Sequence, residues 1–238
     1  MGSVVGTLLY YYCRSGCQAS VVASFLAFYP PIPTYSVEGE SDTCKFVLTE
    51  KLNKTAEDLF SQSTFTVHII ETATKTRIPV LYFKHPEAKY TIIFSHGNAV
   101  DIGGMIHFFL LLYYRLKVSI AAYDYTGYGP LSTESPTVRP TERQTYRDIE
   151  AVFDWLVDSG RVAQPERELL LYGQSVGSGP SCYLAAQAEQ PAPRWRLGSA
   201  RRRRAVAGLV LHSGILSGLR VLTARCLKTS LTSSSSSS

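Results

Sequence analysis

The 238-residue chain has few cysteines, and they form no metal-binding or disulfide pattern. No two of them make a C-x-x-C pair, which argues against a zinc site, and their irregular spacing argues against a disulfide framework. We therefore expect a reducing compartment and predict no metal and no cofactor. The cysteines are Cys13, Cys17, Cys44, Cys182 and Cys226.

The sequence also lacks an apolar run long enough to cross a bilayer, which takes about 20 residues. Residues 4–12 and 21–29 are apolar, but Arg14 and other polar residues separate them. No basic segment precedes the first run, so a secretory signal is not predicted. The two alternatives are an interfacial anchor and a helix packed on the domain.

Cys13 and Cys17 lie between these two apolar runs. Beside apolar and aromatic sequence they are candidates for palmitoylation, and two acyl chains hold a protein on a membrane where one holds it weakly. Two ordinary thiols on a buried helix are the alternative.

Positive charge is not spread over the chain. The formal net charge is +5, but six of the 24 basic residues lie within residues 194–204, and without them 18 basic residues face 19 acidic ones. This balance argues against a nucleic-acid partner. The composition of residues 190–204 is typical of a disordered basic insertion, for which contact with anionic lipid is the functional alternative.

Short apolar runs alternate with amphipathic segments over most of the chain. Helices are predicted for residues 101–114, with Asp101 as the capping residue, and for residues 141–157. Residues 132–140 predict a polar loop, and residues 30–35 a proline-rich extended connector. The alternation predicts an α/β fold with a mostly parallel sheet and helices on both faces. The predicted strands are residues 65–70, 78–83, 90–95, 118–123, 169–172 and 205–212, of which the first two form a hairpin.

The most informative stretch is residues 169–178, with the sequence LLLYGQSVGS. An apolar run leads into a G-x-S-x-G pattern around Ser175, and a segment capable of forming a helix follows. In a nucleophile elbow, positions such as Gly173 and Gly177 are small because the strand and helix backbones nearly touch. Ser175 is therefore the candidate nucleophile, and an ordinary Gly-Ser loop is the alternative.

A serine hydroxyl attacks a carbonyl group when a base takes its proton and preformed donors bind the oxyanion. The candidate donors are the backbone N–H groups of Val176 and Asn98, the second of which lies in the loop after residues 90–95. His96 and Gly97 are expected to orient this loop, and His96 is not expected to be the base.

The acid and base of a triad are not identified. No aspartate follows Ser175, the one glutamate after it is Glu189, and the one histidine after it is His212. Neither is placed as a triad member of this fold should be, beyond a later strand.

Seven segments between about residue 25 and residue 221 carry a resemblance to a known family. They are LAFYPPIPTY (26–35), YTIIFSHGNAVDIGGM (90–105), YDYTGYG (123–129), RPTE (139–142), LYGQSVG (171–177), LHS (211–213) and SGLRV (217–221). Together they resemble the family 17 α/β-hydrolase-domain proteins. The resemblance implies an α/β-hydrolase core with Ser175 as nucleophile, residues 96–99 as the oxyanion loop, and Cys13 and Cys17 as lipidated cysteines.

The resemblance also implies a function. Members are membrane-associated serine hydrolases that remove palmitate from cytosolic proteins by thioester hydrolysis. We therefore expect an S-acylated protein or acyl-lipid substrate, and peripheral attachment to the cytoplasmic face of plasma or endosomal membranes. A lipid esterase or a peptidase on the same fold is a further interpretation.

The resemblance divides the chain into a membrane-association segment with its connector (1–35), a partial α/β-hydrolase domain (36–221) and a low-complexity serine tail (222–238). Family members continue beyond residue 221 through two strands that bear the catalytic aspartate and histidine. We therefore expect a domain without these last two strands. The alternative to an enzyme is a non-catalytic, membrane-associated protein that binds acyl groups without turning them over.

Overall fold

The computed structural model describes residues 28–39, 44–134, 138–187 and 205–214. Eight strands and six helices are described here in chain order. The strands are β1 (Tyr35–Glu38), β2 (Lys45–Leu48), β3 (Phe65–Glu71), β4 (Arg77–Phe83), β5 (Thr91–Ser95), β6 (Ser119–Tyr123), β7 (Leu169–Gln174) and β8 (Gly208–His212). The helices are α1 (Lys54–Gln62), α2 (Ile106–Leu116), α3 (Leu131–Glu134), α4 (Glu142–Asp158), α5 (Pro165–Glu168) and α6 (Ser178–Gln187).

A six-stranded mixed sheet forms the centre of the fold, in the order β3-β4-β6-β5-β7-β8. The predicted hairpin is confirmed, because β3 and β4 are antiparallel neighbours. β4 is also antiparallel to β6, whereas β6, β5, β7 and β8 run parallel. The carboxyl ends of these four parallel strands therefore meet at one edge of the sheet, which is where open α/β sheets bind ligands.

Both faces of the sheet are covered by helices, as the alternating pattern predicts. One face packs against apolar residues of α4, and the other against apolar residues of α2. Strand β5 is buried along its whole length, which explains its continuous apolar run, since a strand covered on both faces has no polar side. The residues of α4 in this core are Ile149, Val152, Phe153 and Leu156.

The helix predicted from Asp101 begins later, at Ile106. The Asp101 carboxylate accepts a hydrogen bond from the N–H of Gly104 at 2.9 Å, as a cap would, but residues 102–105 form turns. Its second oxygen is bonded to the N–H of Thr34, so the carboxylate also binds the segment that precedes β1. The predicted loop at 132–140 likewise contains a short helix, α3.

The predicted strand at 205–212 is confirmed in its second part as β8. Leu209, Val210 and Leu211 are 38%, 44% and 47% exposed, and β8 is an edge of the sheet as far as the described residues extend. None of the helices in the described ranges combines the length and apolarity needed to cross a membrane. The predicted basic insertion, the serine tail and the cysteine-bearing first segment lie outside the described residues.

Candidate active site

Ser175 occupies a sharp corner between β7 and α6. Strand β7 ends at Gln174, a single 3₁₀ turn covers Ser175–Gly177, and α6 begins at the next residue. The backbone of Ser175 has φ of +51°, in the left-handed region that side chains other than glycine seldom adopt. Residues held in this region cluster at active sites, where the surrounding structure compensates the strain. The corner is therefore a strained turn from strand to helix.

The two glycines of the motif lie so close to neighbouring atoms, most of them backbone, that a side chain has no space at either position. A Cβ atom at Gly177 would lie 2.1 Å from the carbonyl oxygen of Ser95 and 2.7 Å from that of His96. A Cβ atom at Gly173 would lie 2.6 Å from the Gly177 oxygen. The elbow is thus pressed directly against the end of β5, which brings Val176 and the loop after β5 together.

His96 is fully buried beneath this loop. Its Nδ1 lies 2.7 Å from the carbonyl oxygen of Gly97, and its Nε2 lies 3.3 Å from Oδ1 of Asp124 without hydrogen-bond geometry. Its own carbonyl oxygen accepts a hydrogen bond from the Tyr125 hydroxyl at 2.7 Å. These contacts place His96 between Gly97 and Asp124, and its loop-orienting role stays a prediction.

The Asn98 side chain joins three parts of the chain. Its Oδ1 accepts hydrogen bonds from the N–H of Tyr29 and from the hydroxyl of Tyr128, both at 2.8 Å, and from the N–H of Ala99 at 3.0 Å. Gly97, one residue earlier, lies beside the Gln174 side chain, because a Cβ atom there would be 3.7 Å from it. The loop is thereby held between β7 and the start of the described chain.

His212 is the last residue of β8 and pairs with Gln174, the last residue of β7. Its Nδ1 lies 3.1 Å from the hydroxyl of Tyr172, on the face of the sheet that packs against α2. Within the described ranges, no hydrogen bond joins the Ser175 hydroxyl to a histidine or a carboxylate, and no three His, Cys, Asp or Glu side chains converge as a metal site would require. Glu189, Cys13 and Cys17 lie outside the described residues.

Sequence reasoning missed a pair of buried carboxylates next to the loop. Asp101 and Asp124 are both fully buried. Asp124 accepts hydrogen bonds from the hydroxyl of Tyr35 at 2.5 Å and from the N–H of Ile102 at 2.9 Å. Burial, and then the charge of Asp124, raise the pKa of Tyr35 well above its usual value, so that this hydroxyl remains a donor. The sequence did contain a signal for Asp124, because this residue directly follows an apolar strand and so lies at the carboxyl edge of the sheet.

A third buried carboxylate, Asp148, attaches the loop after β6 to α4. It accepts hydrogen bonds from the N–H and the hydroxyl of Thr126, both at 2.8 Å, and from Nε2 of Gln144 at 3.0 Å. Burial raises the pKa of Asp148 to about 7, although these three donors lower it. The loop anchored in this way carries Tyr125, whose hydroxyl binds the carbonyl oxygen of His96.

The fold defines the class of the protein. The structure is similar to an α/β hydrolase from Vibrio vulnificus, with a TM-score of 0.52 and 20% identity over 73% of this chain and 55% of the other. It is also similar to the Pyrococcus furiosus esterase Pf2001, with a TM-score of 0.51 and 15% identity over 85% of this chain and 62% of the other. The predicted α/β-hydrolase fold is thereby confirmed.

The sequence comparisons give the family. The chain is 32% identical to α/β-hydrolase domain-containing protein 17C of Xenopus tropicalis over an alignment 241 positions long, which covers 92% of this chain and 69% of that protein. It is 35% identical to human α/β-hydrolase domain-containing protein 17B over 214 residues, 88% of this chain. The chain therefore belongs to the α/β-hydrolase domain-containing protein 17 family, as the resemblance indicated. It spans 65% of the length of the human relative. No protein-family model matches it.

Proposed function

We propose that the protein is a serine hydrolase of acyl thioesters and esters in which Ser175 is the nucleophile. The observation that carries the proposal is the strained corner at Ser175, pressed through Gly177 against the backbone of Ser95 and His96. Family membership and the fold support the same chemistry.

In the proposed reaction, the hydroxyl oxygen of Ser175 attacks the carbonyl carbon and its proton passes to a base. The N–H groups of Val176 and Asn98 donate hydrogen bonds to the oxyanion that forms. Collapse of this intermediate breaks the carbon–sulfur or carbon–oxygen bond, and the leaving thiolate or alkoxide takes up a proton. Water then attacks the acyl group on Ser175, which releases the fatty acid and regenerates the hydroxyl. The base is not assigned to a residue. His212 is the one histidine that follows Ser175 in the sequence, and its Nδ1 is hydrogen-bonded to the hydroxyl of Tyr172.

Replacing the proposed nucleophile tests the assignment directly. Ser175→Ala is expected to abolish labelling by a fluorophosphonate probe, and to reduce hydrolysis of a fluorogenic acyl thioester by about 1,000-fold or more, because the proposed acyl-enzyme cannot form without the Ser175 hydroxyl. Ser159→Ala, at the exposed cap that ends α4 and outside the corner, is the matched control and should be labelled like the wild type. The readouts are in-gel fluorescence and initial hydrolysis rates.

A second candidate function is acyl binding without turnover, which the engagement of His212 with Tyr172 favours. Labelling of Ser175 without hydrolysis would support this candidate. Absence of labelling in a protein shown by circular dichroism to be folded would overturn the assignment of the nucleophile itself.

We further propose that the substrate is an S-palmitoylated protein or an acyl lipid, met at the cytoplasmic face of a plasma or endosomal membrane. The support is the family and the position of Cys13 and Cys17 between two apolar runs. In cells, the double replacement Cys13→Ser/Cys17→Ser is expected to shift most of the protein from the membrane fraction to the supernatant, since a chain without acyl groups binds bilayers weakly. Cys182→Ser, at an exposed thiol of α6, is the control that should stay on membranes. Unchanged membrane binding of the double variant would contradict the proposal.

A further inference from the structure

The segment that leads into β1 contacts the loops of the candidate active site at both of its ends. Residues 28–35, called here the strap, have no regular secondary structure before Tyr35. Phe28 is buried in the core on the α4 face of the sheet, and the N–H of Tyr29 donates to Oδ1 of Asn98 at 2.8 Å. At the other end, Thr34 and Tyr35 reach two buried carboxylates. The strap therefore contacts the oxyanion loop at its start and the supports of that loop at its end.

Each of the two carboxylates binds the strap on one side and, on the other, the turn at residues 102–104 that follows the oxyanion loop (residues 96–99). Asp101 accepts hydrogen bonds from the N–H of Thr34 at 2.7 Å and from the Thr34 hydroxyl, and its Oδ1 also binds the N–H of Gly104. Asp124 accepts from the Tyr35 hydroxyl and from the N–H of Ile102. Because a buried carboxylate that loses a donor is costly, these two side chains connect the strap tightly to residues 102–104.

Packing leaves no space between the strap and the loops. A Cβ atom at Gly103 would lie 2.4 Å from the Thr34 hydroxyl oxygen and 2.8 Å from Cδ1 of Tyr35. A Cβ atom at Gly129 would lie 2.0 Å from Oδ2 of Asp124 and 2.9 Å from the Tyr35 hydroxyl oxygen. The positions of the loop after β5, which contains Gly103, and of the loop after β6, which contains Gly129, therefore depend on the positions of Thr34 and Tyr35.

We infer that Thr34 and Tyr35 are positioning residues of the active site, which hold the oxyanion loop through Asp101 and Asp124. This inference rests on the proposed function, in which the N–H of Asn98 must be aimed at the oxyanion. Hydrogen bonds of this kind act in the transition state, and a displacement of about 1 Å costs about 100-fold in rate. Loss of the strap hydroxyls should therefore lower kcat and leave KM nearly unchanged.

The test compares variants that remove one hydroxyl each. Thr34→Val and Tyr35→Phe keep the shape of the side chains, and Tyr35→Phe keeps the stacking on Phe46 at 4.6 Å. Each is expected to lower kcat for the acyl thioester about 10- to 100-fold, with KM within about threefold of the wild type. Thr34→Ser, which restores the hydroxyl, should recover most of kcat. Thr55→Val and Tyr90→Phe are the matched controls at exposed sites and should behave like the wild type.

Hydrogen exchange gives a readout that does not depend on turnover. The amides of Ile102 and Gly104, bonded to Asp124 and Asp101, should exchange about tenfold faster or more in the two variants, while those of β5 and β7 stay protected. If exchange at residues 102–104 is unchanged, or if Thr34→Ser is as impaired as Thr34→Val, the inference is wrong. If the wild type itself shows no turnover, the proposed function fails, and the exchange data still decide whether the strap holds the loop.

Discussion

Gly177→Ala is expected to lower the reactivity of Ser175 by about 100-fold and the free energy of unfolding by about 3 kcal/mol, because a methyl group has no space there. Its Cβ would lie 2.1 Å from the carbonyl oxygen of Ser95, 2.6 Å from the Ser95 carbonyl carbon and 2.7 Å from the His96 oxygen. All three are backbone atoms at the end of a fully buried strand, so no side-chain rotation can relieve the overlap.

The elbow must therefore move away from β5 by about 1 Å, which separates Val176 from the loop that carries Asn98. The initial rate of fluorophosphonate labelling at Ser175 should fall by about 100-fold for a displacement of this size. Chemical denaturation followed by tryptophan fluorescence gives the stability, and the labelling rate is measured at a temperature where the variant is still folded.

Gly179→Ala provides a matched control two residues further along, in the first turn of α6. A Cβ atom at this position meets nothing within 4 Å. Because alanine favours a helix over glycine, the free energy of unfolding should be unchanged or raised by up to about 1 kcal/mol. Equal labelling rates in the Gly177→Ala and Gly179→Ala variants would show that the close approach of the elbow to β5 does not matter for reactivity.

The elbow could be found from the sequence because its signals are local. These signals lie within twenty residues of one another and consist of an apolar strand, small residues two positions either side of Ser175, and a following helix. The continuous apolar run of β5 likewise predicts a strand that is covered on both faces. The predicted role of Asn98 came from its place in the loop after that strand, and its role remains a prediction.

The supports of the loop could not be found in the same way, because they join distant parts of the chain. Tyr35 and Asp124 are 89 residues apart, and Thr34 and Asp101 are 67 residues apart. The proline-rich pattern of residues 30–35 indicates an extended connector and contains nothing about what it binds. Asp101 resembled a helix cap because an aspartate before an apolar segment usually is one. In the structure the Asp101 carboxylate also binds Thr34, a tertiary contact that the local sequence does not indicate.

The buried carboxylate Asp148 should make the stability of the protein depend on pH. Its pKa in the folded protein is raised to about 7 from 3.8, so the folded state binds this proton more tightly than the unfolded state does. The contribution to stability is therefore fully present below about pH 4 and is lost as the pH rises through about 7. A shift of about three units at about 1.4 kcal/mol each corresponds to a loss of about 4 kcal/mol across this range.

Asp148→Asn removes the ionisation and keeps the size of the side chain. Measured by urea denaturation at several pH values, the difference in unfolding free energy between wild type and variant should change by about 4 kcal/mol between pH 4 and pH 8, in favour of the variant at high pH. The exposed replacement Asp58→Asn, on α1, is the control, because it makes the same chemical change at the surface. A wild-type curve parallel to that of Asp148→Asn would mean that the donors from Thr126 and Gln144 offset the cost of burial. In that case the folded and unfolded states bind this proton equally, and burial does not weaken the charged contact that holds the loop with Tyr125 to α4.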